Sequence, residues 1–250
     1  MGIERLVTDG IGEVVIDRPP VNALDVKSWF ELGATLRGLG EDPGVSVVVL
    51  RAEGKGFCAG VDIKELQADP DAIVGVNRGC YEAFAAVYEC AVPVIAAVQG
   101  FCLGGGIGLA GNADIVVASD DATFGLPEVD RGALGAATHL ARLVPQHRMR
   151  AMVYTGATAT ASELLAYGSV LSVVGRAALR DEAMRIARDI ASKSPTIIRR
   201  AKESLNGIDP VDVKRSYRFE QGFTYELNLS GVSDEARQAF IDKRDAKFEK

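Results

Sequence analysis

Histidine is scarce in this chain: 250 residues contain two, His139 and His147. With so few imidazoles, and with Cys58, Cys80, Cys90 and Cys102 in no C-x-x-C spacing, the composition argues against a zinc cluster and for reduced, buried thiols. No metal is expected. Runs of Lys and Arg are missing as well, and the net charge is -6 at pH 7. That balance argues against a nucleic-acid partner. No apolar stretch reaches the length of a membrane span, and charges interrupt every apolar run of "MGIERLVTDGIGEVVIDRPP", so this opening reads as neither signal peptide nor anchor. The expectation is a cytoplasmic protein with no membrane partner.

What is present is enough to fold. Hydrophobic residues make up 48% of the chain, sufficient for one sizeable core. Strand, strand, helix, strand is the reading of the first sixty residues: "VVID" runs into a Pro-Pro turn, Asp25 can cap "VKSWFELGATLRGL", and "VSVVVLRA" is a buried strand. A second cycle follows. The Gly-rich "EGKGFCAGVD" leads to a helix in which Cys80, Phe84 and Val87 share an apolar face. After it come the strand "PVIAAV", a glycine-rich helix start and the strand "ADIVVAS". Alternating strands and helices predict an α/β architecture with parallel pairing. From about Arg142 the pattern is mostly helical, broken by the short apolar "SVLSVVG". We divide the chain into a core over 1–195 and a C-terminal helical region over 196–250, both in one structural unit.

The stretch "GFCLGGGIGLAG", Gly100 to Gly111, contains a literal G-x-G-x-x-G. A dinucleotide loop needs its first glycine at a strand end and an acidic residue about 20 positions on, at the tip of the next strand. Here the strand ends near Val98, Gly106 falls inside the following helix, and the next strand already ends near Asp120. The spacing does not fit. Glycine at a helix N-terminus has another use, because unpaired backbone N–H groups there can point at an anion that approaches closely. "GFCAGVDI" is a second Gly-rich turn after a buried strand and a candidate for a second amide donor. Tight packing alone is the competing reading of both turns.

"RAEGKGFCAGVDIKEL" and "PVIAAVQGFCLGGGIGLAGNADIVVASDDATFGLPE" resemble the two signature segments of the crotonase, or enoyl-CoA hydratase/isomerase, superfamily. "IDRPPVNAL" and "SDEARQAFIDKR" extend the resemblance to nearly the whole chain. It implies a spiral of ββα units with a C-terminal helical trimerisation region, hence a homotrimer or homohexamer. It also implies an acyl-CoA substrate and no cofactor, coenzyme A being part of the substrate. Carried over by motif, the thioester oxygen accepts from the N–H groups of Val61 and Gly105. The same match sets the CoA adenine against Ala23, Ala59 and Ile63. Lys55, Lys243 and Lys247 are candidates for its phosphates, with a solvated surface lysine as the other reading of each.

Hydratases resembling this sequence use two glutamates. Glu128, in "FGLPE", matches one; the position of the other is Gly108. The resemblance therefore implies catalysis by Glu128 with one carboxylate missing, and Gly108 is expected to leave room in the substrate pocket for a wide acyl group. Asp130 is either a loop carboxylate paired with Arg131 or a replacement acid/base group. His139 is either a helix-face residue outside the pocket or a further acid/base group. Longer stretches, "SDDATFGLPEVDRGALGAATHLARLVPQH" among them, resemble a branch of the superfamily in actinobacterial steroid degradation that opens a ring of a bicyclic β-diketone CoA thioester by C–C hydrolysis. An enoyl-CoA hydratase or isomerase of fatty-acid oxidation is the alternative within enzymes, and a catalytically idle CoA-binding scaffold the alternative outside them.

Overall fold

Two strands, β1 (Gly2–Thr8) and β2 (Ile11–Asp17), pair antiparallel around a two-residue turn at Asp9 and Gly10. Both turn residues have positive φ, 51° and 78°, the geometry that continues the natural twist of a hairpin. The computed structural model describes residues 2–69 and 71–247. Past β3 (Ala23–Leu24), the Asp25 side chain accepts the Ser28 N–H at 2.8 Å and starts α1 (Val26–Glu41) as the sequence predicts. Trp29, Leu32, Leu36 and Leu39 recur at helical spacing along α1, and all are fully buried.

The next strand, β4 (Val47–Ala52), shows why its composition is unbroken. Val48 and Leu50 enter the larger core while Val47 and Val49 enter a second one. A strand covered on both faces needs a continuous apolar run. Then come β5 (Gly60–Val61), α2 (Ile63–Ala68), α3 (Ala72–Tyr88), β6 (Val94–Val98), β7 (Phe101–Leu103), α4 (Gly105–Ala110), β8 (Ile115–Ser119) and β9 (Thr123–Gly125). β2, β4, β6 and β8 are neighbours in that order and parallel.

A 3-10 turn at Pro127–Arg131 precedes α5 (Ala137–Leu140), α6 (Gln146–Thr155), β10 (Thr158–Thr160), α7 (Ala161–Tyr167) and β11 (Ser172–Val174). The short apolar interruption of the helical half thus contains a strand of the main sheet. β11 lies parallel to β8, with Ser172 opposite Val117. Its reason is non-local: β8 offers an open edge, and α8 (Leu179–Ala191) lays Leu179, Ala183, Ile186 and Ala187 into the second core.

Two small sheets, β10-β9-β7 and β3-β5, accompany the main one. Their loops deliver the site. The chain continues through α9 (Pro195–Gly207), α10 (Val213–Leu229) and α11 (Val232–Asp242). Buried Lys202 anchors α9 to the start of β8 through Asp114, with Nζ 2.7 Å from both carboxylate oxygens. From α10, Gln221 Nε2 donates to the Asn77 carbonyl at 2.6 Å and the Thr224 hydroxyl to the Leu134 carbonyl. From α11, the Ser233 hydroxyl donates to the Gly132 carbonyl. The last two helices therefore close over the loop that follows the 3-10 turn. All four cysteines are free and buried. Among the described residues no helix is long and apolar enough to cross a membrane.

Candidate active site

Strand β7 is followed by Gly104, whose backbone (φ 55°, ψ -118°) is open only to glycine. A Cβ there would stand 2.6 Å from Glu128 Oε1, so the missing side chain is the space that the carboxyl group occupies. Helix α4 begins at the next residue, and its first N–H groups have no intrahelical acceptor. A Cβ on Gly105 would meet the Trp29 ring at 2.7 Å, and one on Gly60 would lie 3.0 Å from the Gly105 nitrogen. Such close backbone approach brings the two Gly-rich turns together. In the β5 turn, Asp62 N–H donates to the Leu24 carbonyl at 3.0 Å. Parallel ladders alternate, so the neighbouring Val61 N–H faces the other side.

Between these turns and the C-terminal helices lies a cavity. Its walls include Ala59, Gly60, Val61 and Ile63, the α3 side chains Val76, Asn77, Cys80 and Phe84, Gly104 and Gly105, residues 131–136, and Tyr217, Asn228, Ser233 and Arg237 from α10 and α11. Glu128 is the one acidic residue among its described lining residues. Burial pushes its carboxyl up to about 7, against smaller opposing pulls from its own backbone N–H and the Arg131 guanidinium, and among the described residues Oε2 is buried without a hydrogen-bond partner. A carboxyl held near neutrality beside open space can take a proton from a bound molecule at physiological pH.

Other expected residues stand elsewhere. Gly108 does not line the cavity: a Cβ on it would sit 2.3 Å from Phe84 Cζ. The expected room is already filled by the phenyl ring, which itself lines the cavity. Where the resemblance implies a second carboxylate in hydratases, this chain therefore packs an aromatic ring. Asp130 is exposed, with its carboxylate over Gly156, and lines no part of the cavity. The acid/base reading of Asp130 lacks the contact it needs. His139 is fully buried outside the cavity, in edge contact with Phe84 and tilted against Tyr217. Its Nδ1 lies 3.1 Å from Asn112 Oδ1. Because the Asn112 amide nitrogen donates to the Phe84 carbonyl, Oδ1 is the acceptor and His139 the donor. Burial, reinforced by Arg142, pushes the imidazole down to about 3. It stays neutral and carries no proton to the cavity.

Of the residues matched to coenzyme A, Ala59 and Ile63 line the cavity and Ala23 lies in β3, beside Gly60. Lys55, Lys243 and Lys247 are exposed. Residues that the sequence reading missed are Asn77, Arg131, Tyr217, Thr224, Ser233 and Arg237, all lining the cavity. The helices that carry most of them are legible from the pattern. Their polar positions resemble ordinary solvated faces, and no local signal tells a covered arginine from an exposed one.

The fold and site can be set beside known proteins. The family described as enoyl-CoA hydratase/isomerase matches residues 7–250. A (7aS)-7a-methyl-1,5-dioxo-2,3,5,6,7,7a-hexahydro-1H-indene-carboxyl-CoA hydrolase from Rhodococcus jostii is 63% identical over 94% of this chain and 92% of its own. The Mycobacterium tuberculosis protein of the same name is 60% identical over 94% of this chain and 96% of its own. Among solved structures, an enoyl-CoA hydratase from Mycobacterium avium subsp. paratuberculosis matches with a TM-score of 0.88 at 25% identity, covering 100% of this chain and 99% of that one.

Proposed function

The chain belongs to the enoyl-CoA hydratase/isomerase family, and on that footing we propose that it opens a ring of a bicyclic dioxo-indene carboxyl-CoA thioester by hydrolysing a C–C bond. The observation that carries this reading is the Glu128 carboxyl in the cavity, its Oε2 buried with no partner among the described residues, while Phe84 fills the space beside Gly108, the other candidate carboxylate position. Two-carboxylate hydration lacks one of its groups, each worth about 10² to 10⁴-fold when positioned.

The chemistry follows from the substrate named for the two similar hydrolases. That name sets one ketone beside the methyl-bearing ring-fusion carbon and leaves one ring double bond between that carbon and the second ketone. Glu128 takes a proton from water, and the water oxygen bonds to the first ketone carbon. The bond from that carbon to the ring fusion then breaks. Its electron pair moves through the double bond onto the second carbonyl, the attacked carbon becomes a carboxylic acid, and the proton returns to the carbon framework. The amides of Val61 and Gly105 hold the thioester oxygen, at about 3 kcal/mol per donor for comparable holes. The CoA adenine rests against Ala23, Ala59 and Ile63, with Lys55, Lys243 and Lys247 as the candidates for its phosphates.

The same reading assigns the enzyme to steroid degradation in the cytoplasm, as a trimer or a pair of trimers. Ile197, Phe219 and Leu229, exposed on the C-terminal helices, supply apolar surface that such an assembly would cover. The test is incubation with the dioxo-indene thioester and, in parallel, crotonyl-CoA. Mass spectrometry should show gain of one water with a fragmentation pattern of an opened ring and no release of free CoA thiol. Thiol release would make the reaction thioester hydrolysis, and comparable hydration of crotonyl-CoA would restore the hydratase reading.

A further inference from the structure

Among the described residues, two buried donors of residues lining the cavity lack a hydrogen-bond partner: Nδ2 of Asn77 and Nε of Arg237. The residues are only 6% and 7% exposed, and an unpaired donor at such depth is costly unless a bound molecule satisfies it. They come from two different helices, α3 and α11. The main-chain carbonyl of Asn77 accepts from Gln221 Nε2 at 2.6 Å, which ties this turn of α3 to α10. Arg237 is gripped through both terminal nitrogens, Nη1 donating to Asn228 Oδ1 and Nη2 to Asp234 Oδ1. The plane of its guanidinium is thereby fixed, and Nε–H is the donor left over. Around them the wall is largely apolar, with Leu66, Ile73, Val76 and Phe84. A straight hydrocarbon acyl chain would leave both donors dry and unpaired. Acceptor oxygens on the acyl group itself, in addition to the thioester oxygen, would satisfy both donors.

We propose that Asn77 and Arg237 are the specificity-determining residues of this site, each donating to one ring-ketone oxygen of the acyl group. This assignment rests on the ring-opening reading. It explains the pairing of donor number with ketone number, and it leaves Glu128 free for water.

Binding is best measured on Glu128→Gln protein, in which turnover is blocked, by calorimetry with the dioxo-indene thioester and the two analogues in which one ketone is replaced by methylene. Loss of either oxygen should weaken binding by about tenfold or more. In the same background Asn77→Leu should abolish the sensitivity to one oxygen and Arg237→Met the sensitivity to the other, as in a double-mutant cycle closed on the ligand. Equal binding of all three ligands to Glu128→Gln overturns the assignment, as does a variant that keeps full sensitivity to both oxygens. If one variant does not fold, the three ligands on Glu128→Gln and on the other variant still decide. Turnover by the unaltered chain is measured alongside. Turnover without oxygen discrimination sinks only the donor assignment, whereas absence of both turnover and binding sinks the ring-opening reading with it.

Discussion

Glu128, which lines the cavity together with Phe84, and His139, which packs against the Phe84 ring, both have buried functional groups, and burial drives them in opposite directions. The Glu128 carboxyl is pushed up to about 7 beside open space. His139 is pushed down to about 3 in a packed cluster with Asn112, Phe84 and Tyr217. Loss of water around the group disfavours the charged form in each case. Because an acid is charged after losing its proton and a base after gaining one, burial brings the carboxyl to the working pH and takes the imidazole away from it. Depth alone does not make a site. What distinguishes the two regions is the cavity: one group faces a space with unpaired donors, the other faces side chains.

The sharpest way to break that contrast is Glu128→Gln. Turnover should fall by about 10² to 10⁴-fold, measured on the dioxo-indene thioester. In the unaltered chain kcat/KM should rise with pH through about 7 as Glu128 loses its proton. Stability should show the reverse sign. The folded carboxyl titrates above its ordinary 4.5, so the stability it supports is complete below that value and is lost as pH rises through about 7. Thermal melts should therefore place Glu128→Gln level with the parent at pH 4.5 and above it at pH 8.

Gly104→Ala is expected to be next. The added Cβ stands 2.6 Å from Glu128 Oε1, on a backbone with φ 55°. Displacing the carboxyl should lower kcat by about 10²-fold, and a carboxyl relocated to solvent would show as loss of the pH 7 inflection. A smaller effect tests how Phe84 fills the space at Gly108. Gly108→Ala should destabilise by about 1–3 kcal/mol, because its Cβ meets the ring at 2.3 Å. Combined with Phe84→Leu, the loss measured by denaturant titration should be less than the sum of the single losses.

The smallest effect on activity belongs to the other region. His139→Phe removes the donor to Asn112 Oδ1 and should cost about 1–3 kcal/mol of stability with little change in kcat. Its neutral imidazole contributes stability that is complete above the ordinary 6.5 and lost as pH falls through about 3. Acid titration of stability should accordingly be shallower in His139→Phe. A kcat that collapses with this substitution would make His139 part of the catalytic apparatus after all.

Much of this architecture was legible in the residues. Continuous runs such as "VSVVVLRA" read as buried strands, and Asp25 read as a helix cap, because these patterns depend on neighbours in the chain. β11 was missed as part of the sheet, since three residues acquire strand character only from the open edge of β8 and the cover of α8. The motif segments likewise pointed to Glu128, Val61 and Gly105, but not to what surrounds them. Gly108 read as open space and is filled by a ring 24 positions earlier in the chain; Asp130, two residues from Glu128, turns outward to Gly156.

The sequence by itself determined the α/β frame, the two glycine turns and the acid that follows them. Backbone conformation and strand burial are written in local pattern, and those turns demand glycine wherever they occur. Only the tertiary structure decided that α10 and α11 fold back over the cavity, that Phe84 fills the space beside Gly108, and that Asn77 and Arg237 line the cavity with donors that have no partner among the described residues. Those facts depend on which distant surfaces exclude water from one another, and a linear pattern of polar and apolar letters does not specify that partner.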